Sequence, residues 1–189
     1  MKKGKVFIIS GPSGSGKTTL YKRLLTDKFP LIKSISVTTR PKRPGERHGR
    51  DYFFVSLKMF LFKKRAGHFL EWQKVFDNYY GTPNKVVQDL LRSSNNVLLC
   101  IDVKGAKVVR RKYSKAVTIF IKTPSLEILR ERLIKRGSET PETVDLRLNI
   151  ARQELKETKN YKYIINNDNL NKAYKELKTI IRKEIDFCL

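Results

Sequence analysis

Lys5-Val6-Phe7-Ile8-Ile9-Ser10 runs directly into Gly11-Pro12-Ser13-Gly14-Ser15-Gly16-Lys17-Thr18-Thr19. The first segment is short, β-branched and continuously apolar, the pattern of a strand buried on both faces of a parallel sheet. The second satisfies G-x-x-x-x-G-K-[ST] and stands where that motif requires, between a strand and a helix. Its glycines let successive backbone N–H groups turn inward toward phosphate oxygens at a helix N-terminus. Lys17 is expected to set its ammonium on the β- and γ-phosphates, and the Thr18 hydroxyl to ligate Mg²⁺. A chance match in a chain of this length has a probability of roughly one per cent. The segment therefore predicts binding of a nucleoside triphosphate.

Outward from this loop the chain alternates. A helix is expected from about Gly16 to Lys28, strands over Val97–Asp102 and Ala116–Lys122 with a helix near Lys104–Lys112 between them, and a strand over Tyr163–Ile165. A terminal helix follows, with Leu170, Ala173, Tyr174, Leu177, Ile181 and Ile185 on one face. Such alternation gives a parallel sheet with right-handed crossovers. Two segments read as attachments. Residues 36–82 carry aromatics in polar-apolar alternation, as in Asp51-Tyr52-Phe53-Phe54-Val55, and suggest a small antiparallel insertion. Residues 124–158 read as two helices. One opens at Thr123-Pro124 and stops at Gly137; the other opens at Thr140-Pro141 with Val144, Leu148, Ala151 and Leu155 on one stripe.

The 189 residues suit one domain with a full core. Cys100 and Cys188 form no disulfide framework, no apolar run reaches bilayer length and no secretion signal is evident, so a cytoplasmic setting is expected. The formal charge of +23 suggests a polyanionic partner, a Lys-rich composition bias, or cations gathered around nucleotide phosphates. The lysines are spread along the chain rather than clustered, which argues against nucleic acid.

Phosphoryl transfer needs a second anion site that holds an acceptor in line with the γ-phosphate. The run Ser36-Val37-Thr38-Thr39-Arg40-Pro41-Lys42-Arg43-Pro44-Gly45-Glu46 offers one, because Arg40 and Arg43 can each fork onto phosphate oxygens. A solvated basic loop is the alternative. Together with Phe69-Leu70-Glu71-Trp72, Asn78-Tyr79-Tyr80-Gly81-Thr82, Ile101-Asp102-Val103-Lys104-Gly105-Ala106 and the region Arg132 to Arg147, this run resembles the guanylate kinases in order and spacing over essentially the whole chain.

The resemblance implies a three-layer α/β P-loop kinase core with a five-stranded parallel sheet, a small mixed α/β GMP-binding insertion (about 35–82) and a helical lid (about 124–158). The core would comprise about 1–34, 83–123 and 159–189. It implies transfer of the γ-phosphate of ATP to GMP with Mg²⁺. A monomer or homodimer is expected, with no membrane partner and, despite the basic charge, no nucleic-acid partner. Gly11 through Thr19 and Asn167 would hold ATP. Arg40, Arg43, Tyr52 and Tyr80 would hold the GMP phosphate, and Ser36, Glu71, Thr82 and Asp102 the guanine edge. Lys17, Arg132, Arg136 and Arg147 would stabilise the transferring group. Alternatives stay open for three of these: Thr82 as a cap of the next helix, Glu71 as a solvated strand residue, and Tyr80 as a plain core aromatic.

The acceptor is a phosphate, so no general base is expected, and His48 and His68 read as surface residues. Two positions depart from the family pattern. Cys100 stands where relatives carry an acidic residue near Mg²⁺, and Lys104 where they carry Gln. A scaffold domain binding a phosphorylated peptide would not need the intact phosphate loop, and a ribose bisphosphate kinase relative would not need Ser36, Glu71 and Thr82.

Overall fold

A computed structural model of the chain describes residues 4–27, 29–135 and 140–186; Lys28, Arg136, Gly137 and Cys188 lie outside them. In chain order the elements are β1 (Val6–Ser10), α1 (Lys17–Thr26), β2 (Leu31–Lys33), β3 (Val37–Thr38), β4 (Phe53–Phe54), α2 (Leu57–Arg65), β5 (Phe69–Val75), β6 (Asn78–Pro83), α3 (Asn84–Arg92), β7 (Asn96–Cys100), α4 (Val103–Lys112), β8 (Val117–Lys122), α5 (Leu126–Lys135), α6 (Pro141–Leu155), β9 (Tyr163–Asn166) and α7 (Leu170–Asp186). Every residue of β1 and the first five of β8 are buried. Successive strand side chains point to opposite faces, so both faces of these strands are covered. The five-stranded parallel sheet has the order β2-β7-β1-β8-β9.

The chain packs as two compact units. One takes the described residues up to Val6, Pro30–Leu99 and Lys104–Ala116. It holds the β2–β7 pair and a second sheet of order β4-β3-β6-β5. That sheet is mixed rather than antiparallel: β3 and β5 run antiparallel to β6, while β3 and β4 are parallel. A parallel neighbour needs a long return rather than a tight hairpin, and the loop between Thr38 and Phe53 supplies it. Ser56 caps α2 by accepting from the Met59 N–H, and Phe60 stacks on Phe69 with ring centroids 4.6 Å apart. Gly81 lies under that ring; a Cβ there would come within 2.8 Å of it.

The other unit takes Phe7–Phe29, Cys100–Val103 and the chain from Val117 onward. Here β1 pairs with β8 and β8 with β9. Leu129 and Leu133 of α5 pack with Val144, Leu148 and Ala151 of α6, each worth roughly 1–3 kcal/mol of burial. The α6 start is as expected: Thr140 accepts from the Thr143 N–H, and Pro141 occupies the first turn. The α5 start is not. Ser125 Oγ accepts from the Ile128 N–H, while Thr123 Oγ1 donates to the Ser125 carbonyl, so the cap lies two residues beyond Thr123. The buried face of α7 is Ala173, Tyr174, Leu177, Ile180, Ile181 and Glu184, whereas Leu170 is 39% exposed. Glu184 replaces an expected apolar residue because its carboxylate accepts from Tyr163 Oη and pairs with Lys162 Nζ, each at 2.6 Å.

Candidate functional site

The turn from β1 into α1 holds its shape through close backbone approach. Gly11 has φ +139° and lies so near the Ile121 carbonyl that a Cβ would sit 2.0 Å from its oxygen; Gly16 has φ +93°, with Asn167 Nδ2 only 2.2 Å from where a Cβ would be. Both positions therefore demand glycine. α1 has no side-chain cap and no acid in its first turn, which suits its N-terminal dipole end to an anion. Lys17 folds back over the loop, its Nζ donating to the carbonyls of Gly11 (2.5 Å) and Pro12 (2.7 Å). Thr18 and Thr19 are exposed in the first turn. Among the described residues no three His, Cys, Asp or Glu side chains gather. The exposed Thr18 hydroxyl would offer a divalent ion one ligand, the rest of its shell coming from phosphate oxygens and water. That donor set fits Mg²⁺, which keeps several waters and favours substrate phosphates.

In the same unit, Arg147 Nη1 donates to Ser13 Oγ at 3.1 Å, and Arg132 Nη2 donates to the Asn167 carbonyl at 2.8 Å. Arg136 lies outside the described residues. Asn167 is 3% exposed. Its Nδ2 donates to the Ser15 carbonyl at 2.8 Å and its backbone N–H to the Lys122 carbonyl at 2.7 Å, while Oδ1 is buried with no hydrogen-bond partner. One side chain thus braces the phosphate loop, and the same residue's backbone anchors an arginine of α5.

The other unit carries the second anion candidate. Arg40 Nη2 donates to both carboxylate oxygens of Glu46 (2.8 and 2.9 Å) and Nη1 to the Pro41 carbonyl (2.6 Å). Its guanidinium lies 5.6 Å from the Tyr52 ring and 5.8 Å from that of Phe54. Burial pulls the Arg40 pKa down, but the hydrogen bond to Glu46 and the charges of Tyr80, Glu46 and Tyr52 outweigh it, and the net shift is upward. Tyr52 and Tyr80 meet edge to face at 6.0 Å. Arg43 is exposed on the same loop, and its backbone N–H donates to Glu46 Oε2 at 2.9 Å. Asp51 is 3% exposed and accepts from the Arg47 N–H and from Arg50 Nε. Arg40, Tyr52 and Tyr80 therefore come together.

Glu71 on β5 is directly opposite Thr82 on β6. Both are buried, and Thr82 Oγ1 donates to Glu71 Oε1 at 2.5 Å. Thr82 is not a helix cap, since the residue before α3 is Pro83, and Glu71 is not a solvated strand residue. Ser36 is half-buried just before β3; Asp102 is half-buried just before α4 and belongs to the other unit. His48 and His68 are exposed. Sequence reasoning passed over Glu46 and Asp51; their signal was two acids set among the cations of one loop.

A family model described as Guanylate kinase matches residues 3–184. A guanylate kinase of Symbiobacterium thermophilum is 44% identical over 182 residues, spanning 96% of this chain and 86% of its own. One from Thermotoga maritima is 43% identical over 182 residues, spanning 96% and 88%. Among solved structures, the crystal structure of guanylate kinase from Anaplasma phagocytophilum matches with a TM-score of 0.80 at 32% identity, covering 97% of this chain and 87% of that one.

Proposed function

Because the chain belongs to the guanylate kinase family, we infer that it transfers the γ-phosphate of ATP to GMP, giving ADP and GDP. An oxygen of the GMP phosphate attacks the γ-phosphorus, and the bond to the β–γ bridging oxygen breaks, leaving on ADP. The acceptor needs no deprotonation by a side chain, so catalysis rests on positioning and charge. The observation that carries the purine choice is the buried Glu71 carboxylate with Thr82 donating to it. Guanine offers N1–H and N2–H₂ side by side, and a carboxylate accepts both; adenine presents an acceptor at N1. Thr82 spends its proton on Glu71, which leaves Ser36 to donate to guanine O6; Asp102 is assigned to the guanine on the family resemblance alone. Arg40, Arg43, Tyr52 and Tyr80 take the GMP phosphate.

Gly11 through Thr19 cradle the ATP phosphates, with Asn167 bracing the loop beside the nucleotide. Lys17 moves from the loop carbonyls to the β/γ-phosphates, and Arg132, Arg136 and Arg147 stabilise charge on the transferring group. Mg²⁺, when bound from the Thr18 hydroxyl, neutralises phosphate charge. We further assign residues 35–82 as the GMP-binding insertion and 124–158 as the lid of a single domain acting in the cytoplasm as monomer or homodimer. No helix among the described residues is long and apolar enough to cross a membrane, and nucleic acid is not assigned as a partner. A coupled ADP-release assay over GMP, AMP, CMP, UMP and ribose phosphates tests this. GMP should be preferred by several orders of magnitude, and equal use of AMP would reject the assignment.

A further inference from the structure

The loop between Thr38 and Phe53 carries five cations, Arg40, Lys42, Arg43, Arg47 and Arg50, against two acids, Glu46 and Asp51. The acids do different work. Asp51 ties the loop to itself through the Arg47 N–H and Arg50 Nε. Glu46 reaches back to the groups that matter for an anion: both its oxygens accept from Arg40 Nη2, and Oε2 also accepts from the Arg43 N–H. The Arg40 and Glu46 side chains are only 11% and 17% exposed, so solvent weakens this contact little. With its terminal nitrogens tied and its guanidinium beside the Tyr52 and Phe54 rings, Arg40 keeps one orientation.

We propose that Glu46 is a positioning residue of the acceptor-phosphate cradle: one carboxylate fixes the Arg40 fork and the Arg43 backbone, so that the Arg40 guanidinium is aimed and the loop carrying Arg43 is held before GMP arrives. This rests on the GMP-binding assignment made above. Two effects oppose each other. A carboxylate near a phosphate dianion repels it and competes for Arg40. A fixed fork spares the ligand the cost of freezing a long side chain. Arg40 and Arg43 together outweigh the single charge of Glu46, so the cradle stays net positive. The bond to the Arg43 backbone also orders the loop itself, which a mere competitor would not do. Positioning wins.

The test compares Glu46→Ala, Glu46→Gln and Glu46→Asp with wild type, measuring KM and kcat for GMP, KM for ATP, and inhibition by guanosine, which lacks the phosphate. For Glu46→Ala, KM for GMP should rise about tenfold, equivalent to about 1.4 kcal/mol. Its kcat, KM for ATP and guanosine inhibition should stay within about threefold of wild type. Glu46→Asp should recover part of the loss, since it keeps the charge. If the alanine variant does not fold, as read by thermal melting, the near-isosteric Glu46→Gln decides, because it keeps one acceptor oxygen and should show an intermediate rise. An unchanged or lower KM for GMP overturns the proposal, the lower value marking Glu46 as a competitor. Parallel losses for GMP, guanosine and ATP overturn it too, since they reduce Glu46 to a general structural role. Failure of wild type to phosphorylate GMP would instead remove the assignment on which the proposal stands.

Discussion

Glu71→Gln isolates the base-reading chemistry with almost no change in shape. A carboxylate has about four lone-pair sites; Thr82 takes one on Oε1, leaving enough for both guanine donors. The amide has one oxygen with two lone pairs. With Thr82 still donating, at most one guanine N–H can be accepted, and the amide NH₂ then faces the second. The change costs one hydrogen bond to a charged group, about 1.5–3 kcal/mol, and leaves a buried donor unpaired, about 1–3 kcal/mol more. The sum of about 2.5–6 kcal/mol corresponds to a loss of roughly seventyfold to twenty-thousandfold in kcat/KM for GMP. Coupled ADP release at varied GMP and fixed saturating ATP measures it directly, with KM for ATP expected to stay within about threefold. The melting temperature should hardly fall, because the neutral amide still accepts from Thr82 and no unpaired charge is created. A loss in kcat/KM below about threefold, or an equal loss for ATP, would refute the base-reading role of Glu71.

Lys17→Ala should lower turnover more than a hundredfold while GMP affinity by calorimetry stays within about threefold, since Lys17 donates to loop carbonyls of the triphosphate-binding unit; unchanged turnover would contradict the loop assignment. Gly16→Ala would put a Cβ 2.2 Å from Asn167 Nδ2 at φ +93°. The left-handed strain together with loss of the Asn167–Ser15 hydrogen bond costs about 2–4 kcal/mol, visible as a fall in Tm of roughly 5–15 °C and a raised KM for ATP. Tyr174 gives a pH signature: burial first, then its hydrogen bond to Asp27, pushes the phenol up to about 12 from its ordinary 10.0. Between these values the unfolded chain has lost the proton and the folded chain keeps it, so stability falls as pH rises from 10 toward 12. Tm measured across that range should drop more steeply for wild type than for Tyr174→Phe, and equal slopes would rule out the cause.

The phosphate loop was legible because its signal is local: an apolar run, glycines at fixed offsets and a following helix all sit within residues 5–19. The Thr140-Pro141 start of α6 was legible for the same reason. What escaped depended on partners distant in sequence. β2 is three residues long and β3 and β4 two each, too short for any periodicity, and they exist because neighbouring strands pair with them. The cap of α5 fell on Ser125 rather than Thr123, a choice between adjacent hydroxyls that composition does not make. The α7 stripe went astray where Glu184 found Tyr163 and Lys162, more than twenty residues earlier. At the acceptor site Arg40 was legible from its place in a basic loop, while Glu71 and Thr82 were named from the family resemblance. The Glu71–Thr82 contact needed the β5–β6 register, and Glu46 was overlooked because an acid in a basic loop reads as solvated charge until its distance to Arg40 is known.

The most direct test follows the phosphorus itself. Purified protein is incubated with magnesium, GMP and ATP radiolabelled at the γ-position, and the products are separated by chromatography. Label should move into GDP at a rate matching ADP release, and replacing GMP by AMP should all but abolish transfer. Label appearing instead as inorganic phosphate, or moving onto AMP as readily as onto GMP, would contradict the account.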